Sequence, residues 1–404
     1  MKPAPRHGAA RLIGALVLAV ALGGASPSAA SADVHDAFRG NGMWIWQLSR
    51  TNGGSIASIA AQAKRSNIRT LFVKSGDSRN YWPQFSPQLV SALHARGVKV
   101  CAWQYVYGTY PAAEAAVAAQ AVRNGADCLV IDAESEYEGR YVAATTYITE
   151  LRRLIGRTYP VALTGFPYVH FHPGFPYSVF LAPGGAQYNQ PQMYWHTIGT
   201  TVDLNFILTY TWNRIYKRPI LPLGQTYDNA PTAGVLRFRQ LAAAYGAPGI
   251  SWWSWQAASA LHWRALAQPV PSLGVRPRYS YPNLGPGSRG DAVVWAQQHL
   301  YSAGQRQQLI TGFYGEKTAA AVRAFQASRG LPQTGRLDPA TWARLLAVRP
   351  VNVRWISRRV GPRVVVEAVP ARASAAGGSR VVTAPEPASA RLPALPREIP
   401  PKPR

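Results

Sequence analysis

From Met43 to Gln268 the sequence repeats one pattern about every 30 residues: a short run rich in Val, Ile, Leu, Trp and Tyr, then an Ala-rich stretch. Eight apolar runs occur, MWIWQL (43–48), RTLFVKSG (69–76), VKVCAWQY (98–105), DCLVIDAE (127–134), PVALTGF (160–166), PQMYW (191–195), PILPLGQTY (219–227) and GISWWSWQ (249–256). Most are separated by segments with apolar residues three and four apart, such as SIASIAAQAKRSN, SPQLVSALHARG and YVAATTYITELRRLIG, the spacing of an amphipathic helix. Several of these segments end in Gly or Asn, as helix C-termini prefer. The link over 167–189 is rich in Pro, Gly and aromatics and reads as a long loop. A strand that alternates with helices pairs in parallel, because each crossover returns the chain to the same end of the sheet. Eight such units predict an α/β fold, a closed (β/α)8 TIM barrel. An open nucleotide-binding sheet would carry a Gly-rich phosphate loop after its first strand, and WQLSRTNGGS does not match one.

The flanks divide the rest. Residues 1–32 hold three basic residues, an apolar run from Leu12 to Leu22 and a small-residue end at Ala30-Ser31-Ala32, the form of a secretory signal peptide. The run is short for a membrane span, and no other segment is long and apolar enough for one, so a secreted protein, soluble or held at the cell surface by its partners, is expected. The barrel is expected over 33–268, a Pro-containing linker over 269–283, a small all-α three-helix domain over 284–347, and a basic Pro/Ala-rich tail over 348–404 that is largely disordered. Within that tail VNVRWISRRV and RVVVEAV read as two strands paired around Gly361-Pro362.

The chain carries a formal charge of +25, and loss of the signal peptide's three cations leaves it near +22. Such a surface is drawn to polyanions; for an exported chain, anionic wall polymers and lipid headgroups suit it better than nucleic acid, and no nucleic-acid-binding motif is present. Cys101 and Cys128 fall in neighbouring apolar runs. An oxidising compartment would allow one disulfide; the reading taken here is two buried thiols. No cofactor is indicated, and His170-Phe171-His172 lacks the partner motif a metal site needs.

In the small unit one helix would carry Val293, Val294, Ala296, Gln297 and Leu300, and another Thr318, Ala321, Val322 and Phe325. A third would start at Asp338-Pro339, with Asp as N-cap and Pro in the first turn, and bury Trp342 and Leu345. The succession Gly287…Gly290, Gly312-Phe313-Tyr314-Gly315, Phe325-Gln326, Gly330-Leu331, Gly335 and Thr341-Trp342…Leu345 resembles the peptidoglycan-binding domain of bacterial wall hydrolases. The segment before Gly312 reads QLIT, where members often carry an acidic residue. The resemblance implies peptidoglycan as a partner.

The fourth apolar run ends in LVIDAESEYEG (129–139), where an acid-poor chain gathers several of its 18 carboxylates. In a (β/α)8 barrel the active site lies at the C-terminal strand ends. Alternation turns Leu129, Ile131 and Ala133 towards the helices and Val130, Asp132 and Glu134 towards the interior and mouth. Two close acids cannot both ionise cheaply, which favours one proton donor beside one anion, the division of labour used in glycoside cleavage. The D-x-E pair is similar to that of family 25 lysozymes and family 18 chitinases. It departs from the chitinases at Val130, where they add an Asp, and from the lysozymes at Gln47, where they end the first strand in Asp. The resemblance implies Glu134 as acid and Asp132 as the residue that orients a 2-acetamido group, in a wall glycan hydrolase of muramidase type. The other reading is a non-catalytic polysaccharide-binding barrel, and a third is a glycosidase for another polysaccharide. Gln47, Lys74, Asp77, Gln104, Tyr194, Gln225, Tyr227, Asp228 and Trp255 stand at strand ends as candidate sugar-binding groups, with Asp228 as substitute for the missing acid. Glu136 and Glu138 are expected to face solvent.

Overall fold

The computed structural model describes residues 36–274, 277, 279–360 and 363–370. The expected signal peptide, the turn at Gly361-Pro362 and the chain after Pro370 lie outside them.

Local sequence starts the helices. Ser55 accepts a hydrogen bond from the Ser58 amide to open α1 (Ile56–Arg65). Ser86, followed by Pro87, opens α2 (Pro87–His94) through the Leu89 amide, a hydroxyl cap with proline where no amide donor is needed. These helices cover a parallel sheet. Its strands are β1 (Gly40–Ile45), β2 (Thr70–Asp77), β4 (Lys99–Val106), β5 (Cys128–Ala133), β6 (Val161–Thr164), β7 (Tyr188–Asn189), β8 (Leu223–Gln225) and β9 (Gly249–Trp253), with a short antiparallel β3 (Asn80–Tyr81) against β2. The order is β7-β6-β5-β4-β2-β1-β9-β8. Parallel bridges Asn189–Ile220 and Gln192–Leu223 join the two ends of that order, which makes the sheet a (β/α)8 barrel. The remaining barrel helices are α3 (Pro111–Arg123), α4 (Tyr141–Ile155), α5 (Tyr177–Phe180), α6 (Trp195–Ile198), α7 (Val202–Asn213), α8 (Thr232–Ala244) and α9 (Ala260–Ala267).

The sixth strand departs from expectation. It lies at Tyr188–Asn189, and the PQMYW segment contributes a single bridge at Gln192 before α6 begins at Trp195. Pro191 has no amide hydrogen to extend a ladder. The preceding long link contains α5, and its Phe175 and Phe180 stack beside Tyr137.

Alternation separates two cores. Leu129, Ile131 and Ala133 pack outward with the helices. Val130, Trp44, Phe72, Trp103 and Trp253 fill the barrel interior, with Trp44 and Trp103 tilted at a centroid distance of 5.4 Å. Cys101 and Cys128 are in register on β4 and β5, both on this interior face, and they form a disulfide. This corrects the expectation of two thiols: adjacent parallel strands in register bring their Cα atoms to 4.6 Å, within disulfide range.

The small unit has three helices, α10 (Asp291–Ser302), α11 (Glu316–Ser328) and α12 (Pro339–Leu345), with Asp338 capping α12 through the Thr341 amide at 2.7 Å and Trp342 and Leu345 buried. Buried glutamines tie its loops to its helices. Gln297 accepts from the amides of Thr311 and Gly312, and Gln326 accepts from that of Gly335. The hairpin β10 (Val353–Val360) and β11 (Arg363–Pro370) follows, paired as the sequence suggests, with Trp355 against Tyr141 of α4.

The helical unit is docked on the barrel. Asp291, the first residue of α10, is fully buried and accepts hydrogen bonds from Tyr141, Ser178 and Tyr216 of the barrel and from the Ser178 amide, at 2.6–3.0 Å. The Trp295 indole donates to the Ile215 carbonyl. Burial raises the Asp291 carboxyl to about 6, although its four donors oppose the rise.

Two stability predictions follow from these contacts. A group whose folded pKa is raised contributes a stability that is complete below its unfolded value, near 4, and lost as pH rises through 6. Between pH 4 and 7, wild type should therefore lose about 2 kcal/mol relative to Asp291→Asn, read from urea unfolding at each pH; parallel pH profiles would refute this. The double variant Cys101→Ala/Cys128→Ala opens a loop with a sequence separation of 27 residues and should lose about 3.5 kcal/mol by the chain-entropy estimate; a midpoint unchanged under non-reducing conditions would contradict it.

Candidate functional site

β5 delivers the acids. Parity turns Asp132 inward above Val130, and Glu134, just past the strand end, follows on the same side. The Gln192 side-chain amide donates to both, at 3.1 Å to Asp132 Oδ1 and 2.9 Å to Glu134 Oε1. One nitrogen in reach of two carboxylates holds them as neighbours. Asp132 is fully buried and Glu134 half-buried, so the pair runs from the interior towards the mouth.

Tyrosines surround the pair. Tyr105, on the inward face of β4, donates to both oxygens of Glu136 at 2.9 Å. Burial first, then the charges of Glu134, Asp132 and Glu136, raises its phenol far above the usual range. Glu136 is thus half-buried and engaged, and the expectation that it faces solvent is corrected. Glu138 is also half-buried, paired with His172 at 3.0 Å. Tyr107 donates to Asp77, which pairs with the buried Lys74 ammonium at 2.6 Å. Lys74 lies over the Trp82 ring at 4.3 Å and the Trp103 ring at 5.1 Å.

The Tyr194 hydroxyl is buried and has no hydrogen-bond partner. Burial raises its phenol well above the usual range, with Tyr227, Asp132 and Glu134 adding to the rise; this hydroxyl thus borders the acids. Tyr194 meets Tyr227 edge to face at 5.4 Å, and burial pushes the Tyr227 phenol up to about 12. Thr164, in register with Asp132, has an unpartnered hydroxyl as well. A buried polar group without a partner costs stability unless something bonds it. Both oxygens are closed off from solvent.

Other predicted residues have different positions. The Gln104 side chain faces outward and donates to the carbonyls of Ser78 and Glu114; parity that turns Trp103 and Tyr105 inward must turn it out. Gln225 is buried and spans the start of α6, accepting from the His196 and Thr197 amides. Trp255 is buried against Trp263, with its indole donating to Asn52, so its ring is not free to stack on a sugar. Gln47 is half-buried just after β1, and its carbonyl accepts from Gln256. Asp228 is exposed, 3.4 Å from the Thr197 hydroxyl. The structure thus groups Asp132, Glu134, Tyr194 and Tyr227, and pairs Lys74 with Asp77. His170 stacks on Trp212 at 4.4 Å while His172 turns to Glu138, so the two histidines do not converge. Among the described residues no group of three or more His, Cys, Asp or Glu is arranged for a metal, and no helix is long and apolar enough to cross a membrane.

Residues 289–345 match the family model described as "Putative peptidoglycan binding domain". An uncharacterised protein of Kitasatospora aureofaciens is 42% identical over 67 residues, which is 16% of this chain; the chain spans 57% of that relative's length. The barrel region aligns with solved structures at low sequence identity. A family 18 chitinase from Pseudoalteromonas aurantia aligns with 14% identity and a TM-score of 0.43, over 57% of this chain and 99% of its own. A class V chitinase from Pseudomonas fluorescens aligns with 11% identity and a TM-score of 0.45, over 56% and 98%. A family 25 glycosyl hydrolase from Bacillus anthracis is weaker, with 13% identity and a TM-score of 0.28 over 37% and 69%.

Replacing Gln192 by Leu removes the amide shared by the two acids. Bonds to charged groups contribute about 1.5–3 kcal/mol, so Gln192→Leu should lose about 2 kcal/mol at neutral pH in urea unfolding. An unchanged midpoint would mean that the bridge contributes nothing.

Proposed function

We propose that this chain is an exported protein that cleaves the glycan of the bacterial cell wall, held to its substrate by the 289–345 unit. The observation that carries the reading is the Asp132–Glu134 pair, side by side under one amide at the end of β5. The family match of the helical unit supports peptidoglycan as the target, and the Cys101–Cys128 disulfide suits an oxidising compartment.

In this mechanism Glu134, the more accessible acid, protonates the glycosidic oxygen as the bond to the anomeric carbon breaks. The carbonyl oxygen of the substrate's own 2-acetamido group attacks that carbon from the opposite face. Asp132 accepts the acetamido N–H and steadies the positive charge that develops, while Tyr194 donates to the acetamido oxygen. Water then attacks the anomeric carbon, displaces the acetamido oxygen and so re-forms the acetamido group, gives its proton to the Glu134 carboxylate and restores the original configuration. Burial of Asp132 concentrates the effect, because a fixed charge acts more strongly where water is excluded.

A second reading has its own support. Asp132 is fully buried, and both acids already share the Gln192 amide. That network could equally stabilise a barrel that binds glycan without cutting it.

Reducing-end release from purified wall separates the two. Glu134→Gln should lower release about 100-fold or more while co-sedimentation with wall persists. Equal background release by wild type and variant would favour the binding protein. Tyr194→Phe removes only an unpartnered hydroxyl, so stability should hold or rise while release falls about 100-fold; unchanged release would take Tyr194 out of the mechanism.

A further inference from the structure

A groove of about 480 Å³ lies away from the acids, between α4, the 182–185 loop, α10 and the start of β10. A second recess of about 220 Å³ adjoins it, and the two share Pro183 and Trp295. The two recesses, taken together as a trough, lie along the junction of the barrel and the helical unit.

Its charge is one-sided. Arg152 lines the first recess and Arg218 the second. Arg152 is buried and Arg218 half-buried, and they lie close enough for Arg218 to disfavour the charge on Arg152. Their hydrogen bonds go to neutral oxygens only. Arg152 donates to the carbonyls of Gly156, Tyr159 and Gly185 and to the Gln187 side chain, and Arg218 to those of Leu181 and Ala182. The Arg152 Nε remains unpartnered. At the rim Arg157, Lys217 and Arg349 are exposed and form no ion pair among the described residues. Arg153 is also at the rim, paired with Glu150.

Guanidiniums withdrawn from water and left without a carboxylate place uncompensated positive potential in a concave surface, where fields are focused. One carboxylate would answer one of these charges. Cations spread along two adjoining recesses answer an anion that repeats, and guanidiniums match phosphate oxygens in pairs.

We propose that this trough binds a phosphodiester-linked polymer, with negative groups in successive recesses. The inference shares the wall setting of the proposed function but not its chemistry; loss of glycan cleavage would leave it standing. The barrel acids and the anion trough would thus engage two different wall components.

The test uses the full chain and a fluorescent poly(glycerol phosphate) oligomer, followed by anisotropy at physiological salt. Arg157→Glu/Arg349→Glu reverses two rim charges without touching a buried contact, and should weaken binding about 10-fold or more with an unchanged melting temperature. Arg65→Glu/Arg264→Glu makes the same change in net charge on α1 and α9 and should weaken it less than about 2-fold, since distant exposed charges are screened. Equal losses in the two variants would show diffuse attraction to a basic protein and overturn the assignment. So would a poly-glutamate of equal length that binds wild type as tightly and responds equally to the rim reversal, because the trough would then read charge alone.

Discussion

Side-chain parity along one six-residue strand governs the interior of this molecule. With Cys128 inward, β5 must also turn Val130 and Asp132 inward, and Glu134 follows at the mouth. The same phase places Leu129, Ile131 and Ala133 under the helices. A slip of one residue would exchange the two sets, burying the acids beneath apolar helices. The disulfide fixes this phase, because it joins Cys128 to its register partner on β4. Closure of the ring fixes it again, since each neighbouring strand is paired on both sides.

Much of the fold was legible for this reason. Periods of two and of three to four are local properties, and the alternation between them implied the (β/α)8 barrel. The Asp132–Glu134 pair was legible because it sits at the end of an apolar run in a chain poor in acids. Gln192 was not. It lies after an irregular sixth strand, where Pro191 breaks the pattern, and its role depends on barrel closure, which brings residues 58 and 60 positions apart together. Tyr105 could have been found, since Cys101, Trp103 and Tyr105 share a parity. That parity also excludes Gln104 from the interior. Trp255 misled because tryptophan suits both a sugar platform and a packed interior; its contact with Trp263, from the following helix, decides for packing.

The junction between barrel and helical unit was the least visible. The sequence over 269–283 has the composition of a linker, and a linker suggests a tether. Asp291, which looks like an ordinary acid in the first turn of a helix, instead takes donors from three barrel residues. Each of those tyrosines and serines is unremarkable alone. Only tertiary structure brings them to one carboxylate, and the charge that results is buried with hydrogen bonds on both its oxygens.

If the chain cuts wall glycan as proposed, that docking would set how it works on an insoluble polymer. A wall-gripping unit on a loose leash would let a cutting site roam around one attachment point and make many incisions there. Here the helical unit and the barrel mouth keep a constant offset, as the two jaws of a caliper do. A strand held by one meets the other at one span only, so each new cut would require letting go and landing again, and the spacing of cuts would be a property of the protein rather than of the wall.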